Sequence, residues 1–313
     1  MSIYKLLAVL ICCAVIMYAF AIYNKRTPVN TITQGQFATT TDVNAATISK
    51  KPVVKKEGIT ELVLTAESVF VLYVHDEASI LHFKEPEKQL PIASITKLMT
   101  ALVIKENLKP DDRITISKEA VEQYETAGQL TAGQTFTVSE LMYPLLIESS
   151  NDAAYAFAET FDTKMTGSLV SLMNAKAKDL GMTQTIFNNV SGLDARGGNL
   201  STAKDLALLA MYIYKNHPDI FKLTNITEHK IINEEGTYNV TLKSTNTSLT
   251  DPRISLKKLG GKTGETPKAQ QTLLLITESP RSTGHLIHII LNSTNRHDDM
   301  ATLVNWVNKS FTW

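Results

Sequence analysis

The chain has 313 residues, 43% apolar and 20% charged, an ordinary globular balance. Lys+Arg and Asp+Glu cancel at 31 each, and residues 27–313 carry 28 basic against 31 acidic groups, so a nucleic-acid partner is not expected. Cys12 and Cys13 are the only cysteines and the seven histidines are scattered, so neither a disulfide-built core nor a metal or other cofactor is expected.

Leu6 to Tyr23 is a run of 18 uncharged, mostly apolar residues, long enough to cross a bilayer as a helix. Two readings stay open for residues 1–26. One is an uncleaved anchor; the other is a signal peptide cut after Ala19-Phe20-Ala21, before Ile22. Lys25 and Arg26 would then lie outside, against the usual charge bias, so the outward orientation rests on the chemistry below. Residues 27–57 are rich in Thr, Asn and Ser, carry Lys50, Lys51, Lys55 and Lys56, and are short of large apolar side chains; they read as a flexible spacer. Residues 58–313 form the folded unit.

Ser68–Val74 and Ile80–Phe83 read as two strands around the turn His75–Ala78. Ile92–Lys105 has apolar residues at helical spacing, with Pro91 placed to open it. Thr137-Val138-Ser139-Glu140 is a capping box ahead of a helix running toward Glu148. Thr202-Ala203-Lys204-Asp205 is the same device with Asp, ahead of Leu206–Lys215. Gln271–Thr277 and His285–Leu291 are β-rich, and Met300–Val307 is a closing amphipathic stretch. Strands at both ends with helices between predict one sheet built from both ends of the folded unit around a helical insertion.

A serine hydroxyl needs a base within hydrogen-bond reach. Ser94-Ile95-Thr96-Lys97 puts Ser94 and Lys97 at i and i+3, on one face at a helix N-terminus that favours developing negative charge. The spacing alone is weak, because Ser2–Lys5 and Ser255–Lys258 share it. The first abuts the apolar run, and the second precedes Gly260-Gly261 with no helical pattern. Ser149-Ser150-Asn151 follows 55 residues after Ser94, at a helix end, where a hydroxyl and an amide can relay a proton and hold a carbonyl. By itself Ser149 reads equally as a helix C-cap. A similar triplet, Ser244-Thr245-Asn246, reads as an exposed turn. Lys262-Thr263-Gly264 occurs once, ahead of β-rich sequence, where Gly264 leaves room for close approach.

Taken together, S-x-x-K, S-x-N and K-T-G in this order resemble the penicillin-binding DD-peptidases of the D-alanyl-D-alanine carboxypeptidase type, relatives of the serine β-lactamases. Pro91–Thr100 is similar to the nucleophile helix of that family, Leu145–Ala154 to its second block, and Ser191-Gly192-Leu193-Asp194 with Ser201–Leu206 to a further signature.

The resemblance implies an α/β (α+β) fold: a mainly antiparallel sheet flanked by helices, plus an all-helical subdomain, with the site in the cleft between them. It implies Ser94 as nucleophile, Lys97 as base, and Ser149 with Asn151 and Lys262 passing a proton to the leaving D-alanine. Lys262 and Thr263 would hold the terminal carboxylate, with Gly264 leaving room for the substrate, and the N–H groups of Ser94 and Glu265 would hold the oxyanion. The implied partners are peptidoglycan stem peptides and β-lactams, with the membrane contacted through the N-terminal segment and the catalytic part outside the cell.

Two departures stand out. Glu265 and Gln270 occupy positions where the family usually has an aromatic or similar residue and a glycine. The chain ends 49 residues after Gly264, short of the extra C-terminal β-domain of some carboxypeptidases. A DD-endopeptidase uses the same residues and is the first alternative. A class A β-lactamase needs a Glu between the second and third motifs, and none occurs between Glu159 and Glu228. A non-catalytic wall-binding scaffold would be marked by loss of Ser94, Lys97, Ser149, Asn151 or Lys262, and all are present.

Overall fold

The structure, a computed structural model, describes residues 53–313 apart from 124–128, 165–166, 195–196, 234 and 282. The apolar run Leu6–Tyr23 and most of the Thr/Asn/Ser-rich stretch lie outside the described residues. Among the described residues no helix is long and apolar enough to cross a membrane.

A two-residue strand, β1 (Val54–Lys55), leads the described chain. It falls within the stretch read as spacer, yet it is paired, so the structured chain already includes residues upstream of Gly58. β2 (Ser68–Val74) and β3 (Ala78–Lys84) form the expected hairpin. β2 is buried along almost its whole length, which explains a sequence apolar on both faces rather than alternating with polar residues.

A short strand, β4 (Leu90–Pro91), and a 3₁₀ turn (Ala93–Ile95) precede helix α1 (Thr96–Asn107). The helix thus begins later than the apolar spacing from Ile92 predicts. Pro91 is a strand residue here, held by pairing with Leu200, rather than the first residue of the helix. The polar loop that follows carries β5 (Arg113–Thr115), the one-turn helix α2 (Lys118–Val121) and β6 (Thr135–Thr137).

α3 (Val138–Leu146) starts on the capping box as expected: Glu140 N–H donates to Thr137 Oγ1 at 3.1 Å and Thr137 N–H to Glu140 Oε2 at 2.6 Å. α4 (Asn151–Lys164) and α5 (Leu169–Asp179) pack on α1 in the helical body. After β7 (Leu200–Ser201), α6 (Ala203–Asn216) is capped by Thr202, whose Oγ1 accepts from Asp205 N–H at 3.0 Å. The other half of that box is redirected: the Asp205 carboxylate accepts from Gln184 N–H at 2.9 Å and Thr185 Oγ1 at 2.8 Å. α7 (Pro218–Thr224) and the hairpin β8 (Glu228–Ile232) and β9 (Asn239–Lys243) follow.

Three long strands close the sheet: β10 (Lys258–Thr266), β11 (Gln270–Glu278) and β12 (His285–Ser293). Helix α8 (Arg296–Ser310) and β13 (Phe311–Thr312) end the described chain, and β13 pairs with β1. The order in the main sheet is β10-β11-β12-β2-β3, antiparallel throughout. The early hairpin therefore docks on the last strand, and everything between β3 and β10 is inserted.

Strand periodicity divides the core in two. Phe70, Leu72, Leu274, Ile276, Ile287 and Ile289 face the helical body, together with Leu98, Leu102 and Leu206. Val69, Val71, Leu273, Leu275, Leu286 and Ile290 face the other way, onto Met300, Leu303, Val304 and Val307 of α8. The sheet is thus covered on both faces, and its edge strand β10 borders the helical body. This is the expected antiparallel sheet flanked by helices, with a mainly helical insertion that also carries the strand pairs β5–β6 and β8–β9.

Candidate active site

Ser94 sits in the 3₁₀ turn that leads into α1, half-buried, and Lys97 lies in the first turn of the helix with its side chain fully buried. Lys97 Nζ donates to Ser94 Oγ at 2.9 Å, to Asn151 Oδ1 at 2.7 Å and to the Ser191 carbonyl at 2.8 Å. Ser94 Oγ lies 3.4 Å from the same Ser191 carbonyl. The i, i+3 spacing has produced a contact that Asn151, opening α4, and the 189–199 loop hold from outside the helix.

That loop is pinned to α1. Asn199 Nδ2 donates to Thr96 Oγ1 at 2.9 Å, and Thr100 Oγ1 donates to the Val190 carbonyl at 2.7 Å. Asn189 Oδ1 accepts from Gly192 N–H at 2.7 Å and Ser191 N–H at 3.2 Å. Gly192, at φ +93°, is where the loop touches the nucleophile turn. A β-carbon there would fall 1.9 Å from the Ala93 carbonyl oxygen.

Backbone strain gathers at the same place. Ala93 (φ +46°) and Ser149 (φ +65°) hold left-handed conformations that non-glycine residues rarely adopt, at about 1–3 kcal/mol each. Ser149 is the kink between α3 and α4 and carries its hydroxyl to Lys262 Nζ, which donates to it at 2.8 Å. Its neighbour Ser150 is buried, and its Oγ accepts from Ala153 N–H at 3.1 Å. Of the two serines, only Ser149 lines the cleft.

Lys262 comes from β10 and is fully buried; it also donates to the Thr263 carbonyl at 3.0 Å. Burial pushes its ammonium down to about 7, and the Arg296 guanidinium adds to the effect. Gly264 lets β10 approach the nucleophile turn: a β-carbon there would lie 2.8 Å from the Ile92 carbonyl oxygen and 2.9 Å from Ala93 Cβ. Thr263 meets Thr245, hydroxyl to hydroxyl, at 2.7 Å. Ser94, Ser149, Asn151, Thr263, Gly264 and Glu265 line one cleft of about 240 Å³, and Lys262 reaches its wall through Ser149. The structure therefore brings together every residue the motifs singled out.

It also adds residues the motifs did not give. Thr245 is exposed and lines the cleft while Asn246 beside it is buried, so Ser244–Asn246 is only in part the exposed turn expected from its sequence. Arg296, the first residue of α8, reaches the cleft and donates to the Gly264 carbonyl at 3.1 Å and to Glu265 Oε2 at 2.8 Å. Asp152, next to Asn151, is buried, which pushes its carboxyl up to about 6. Ser191 contributes a backbone carbonyl, which no side-chain pattern can announce; the run Ser191–Asp194 was its only sequence signal. The Gln270 departure has a local consequence: it takes φ +52° just after the β10–β11 turn, a conformation glycine adopts freely. Among the described residues no cluster of His, Cys, Asp and Glu could hold a metal ion.

A sheet edge facing a helical body, with a Ser–Lys pair at a helix N-terminus and a second across the cleft, is the architecture of the penicillin-binding serine DD-peptidases. The sequence model of the family described as D-alanyl-D-alanine carboxypeptidase, Peptidase_S11, matches residues 55–295, and the chain belongs to that family. It is 36% identical over 173 residues to the D-alanyl-D-alanine carboxypeptidase DacF of Bacillus subtilis, covering 54% of this chain and 43% of that one. It is 32% identical to a D-alanyl-D-alanine endopeptidase of Haemophilus influenzae, covering 72% and 75% respectively. Penicillin-binding protein D2 of Listeria monocytogenes, solved in its cefotaxime-bound form, superposes with a TM-score of 0.68 at 28% identity, covering 80% of this chain and 100% of that one. The chain thus spans less than half the length of the Bacillus relative.

Proposed function

We propose that the chain is a serine DD-peptidase that cleaves the D-Ala-D-Ala bond ending peptidoglycan stem peptides, through an acyl-enzyme on Ser94. The observation that carries this reading is the Ser94–Lys97 contact of 2.9 Å facing a second Ser–Lys contact of 2.8 Å across one cleft.

Asn151 Oδ1 and the Ser191 carbonyl are acceptors, and each takes a hydrogen from Lys97 Nζ. From the neutral amine, that arrangement turns the nitrogen lone pair toward Ser94 Oγ, which gives up its proton as it attacks the carbonyl. The N–H groups of Ser94 and Glu265 receive the oxyanion. The close approach of β10 to the nucleophile turn at Gly264 supports that pairing. As the amide breaks, Ser149 passes a proton to the departing amine, resupplied by Lys262. A lysine held near 7 exchanges protons readily at neutral pH. Lys262, Thr263 and Gly264 hold the terminal carboxylate, and Thr245 and Arg296 extend that end of the cleft. Water then releases the acyl group.

β-Lactams present the same carbonyl to Ser94 and would be held as covalent adducts. The reading places the enzyme in wall biogenesis outside the cell, held at the membrane by the apolar run at residues 6–23 or released after its cleavage. Cutting of cross-links is the second reading, favoured by the 32% identity to a protein named as an endopeptidase.

The test is intact-mass spectrometry of the full chain after exposure to benzylpenicillin, for wild type, Ser94→Ala and Lys97→Ala. An adduct is expected on wild type alone, with matching loss of D-alanine release from a D-Ala-D-Ala peptide in both variants. A penicillin adduct on Ser94→Ala would remove Ser94 as nucleophile, and normal turnover by Lys97→Ala would remove the base.

A further inference from the structure

The leaving-group end of the cleft contains an unexpected carboxylate. On the edge strand β10, Thr263 and Glu265 are two residues apart and so share a face. Thr263 points to Thr245, and Glu265 reaches Arg296, whose Nη1 donates to its Oε2 at 2.8 Å. The arginine side chain is 13% exposed and the glutamate 57%, so Glu265 approaches the guanidinium from the solvent side. Both line the same cleft as Ser94 and Ser149. Arg296 also donates to the Gly264 carbonyl and, through Nε, to His297 Nε2 at 3.3 Å, which fixes the guanidinium against the strand.

We propose that Glu265 is a specificity-determining residue, a built-in competitor that sits on Arg296 where a substrate carboxylate beyond the scissile bond would bind. The inference rests on the DD-peptidase reading and deepens it. A peptide ending in free D-alanine brings a carboxylate attached to the carbon next to the departing nitrogen. That anion meets a cation already neutralised by the protein, and a like charge beside it. Leaving groups that are uncharged at that point, such as amide-capped residues or cross-link amides without an adjacent acid, meet no such repulsion. The cleft is thereby shifted away from free C-terminal acids and toward capped or cross-linked ones. Because Glu265 is more than half exposed, water screens the pair and the effect is a bias rather than a switch, about two- to fivefold in rate.

Benzylpenicillin and its methyl ester supply a matched probe, since the penicillin carboxylate is likewise attached to the carbon next to the nitrogen that departs. The measurement is the second-order rate constant for acylation of the full chain by each compound, in wild type, Glu265→Gln, Arg296→Gln and the double variant. The acid-to-ester ratio is expected to rise about two- to fivefold in Glu265→Gln, and not to respond to Glu265→Gln once Arg296 is already glutamine. A merely structural pair, fastening α8 to the sheet edge, would change both rate constants together and leave the ratio where it was. A ratio that stays level or falls in Glu265→Gln, with acylation still occurring at Ser94, overturns the inference and leaves the DD-peptidase reading intact. Absence of acylation by both compounds in wild type overturns the reading itself, and the inference with it.

Discussion

Gly192→Ala isolates the contact on which the Ala93–Ile95 turn depends. The new β-carbon would lie 1.9 Å from the Ala93 carbonyl oxygen, 2.3 Å from its carbon and 2.9 Å from Ser94 N. Contacts of a β-carbon under 3.0 Å essentially do not occur, so loop and turn must separate by about 1 Å. Alanine must also hold φ near +93°, a further strain of about 1–3 kcal/mol. Forcing apart two packed backbones adds a similar amount, giving about 2–6 kcal/mol in all. For a unit of this size, that lowers Tm by roughly 4–12 °C. The chemical effect is separate from the thermal one. Ser191, one residue earlier, supplies the carbonyl that holds Lys97 at 2.8 Å, and a misplacement of about 1 Å in such a constellation costs around a hundredfold in rate. Calorimetry and the rate of penicillin acylation read the two effects separately. Gly181→Ala is the control: its φ is also positive, at +76°, but a β-carbon there meets nothing within 4 Å. It should lose a little stability and keep its acylation rate. A Gly192→Ala protein that melts with wild type and acylates within threefold of it would refute the reasoning.

Asp194 clamps the β10–β11 turn to the catalytic loop by accepting from Thr266 Oγ1 at 2.8 Å and Lys268 N–H at 3.0 Å. Asp194→Ala should lose about 2 kcal/mol in urea unfolding and speed hydrogen exchange at the Lys268 amide; unchanged exchange would argue that the turn needs no clamp. The second expectation concerns acid. Burial pushes His285 down to about 4 and His288 to about 3, against 6.5 when unfolded. Between pH 6.5 and 4 the unfolded chain therefore binds more protons at these sites, and stability falls as pH falls, by up to about 1.4 kcal/mol per pH unit for each. Asp152, pushed up to about 6 from 3.8, acts in the opposite sense below pH 6 but is one group against two. His285→Phe keeps the ring stacked on Tyr214 and should flatten the fall in Tm between pH 7 and 5; a slope equal to wild type would rule out His285 as a source.

Much of the local structure was legible in advance because it rests on interactions a few residues apart. The seven residues of β2 read as a strand because branched and aromatic side chains crowd a span too short for a helix. The helix after Thr137 was announced by a capping box whose two hydrogen bonds join residues three apart. The Thr202 box was only half right, because Asp205 found better partners at Gln184 and Thr185, some twenty positions upstream. The exposed reading of Asn246 failed for the same kind of reason, since β10 lies against it at Gly261, whereas Thr245 stays exposed and meets Thr263 through its hydroxyl.

The site divides along that line too. The Ser94–Lys97 pair is three positions apart, close enough for one helical turn to bring the two side chains together, and the order of the three motifs is read directly along the chain. What orients Lys97 comes from 54 and 94 positions away, and what reaches Ser149 from 113. Those distances are closed by burying one sheet face against the helical body, an energy spread over dozens of apolar side chains with no signature at any one of them. Hence the sequence by itself determined which residues make up the three motifs. Only the tertiary structure decided that a backbone carbonyl at Ser191 would hold Lys97, and that Glu265 would meet an arginine 31 positions further on.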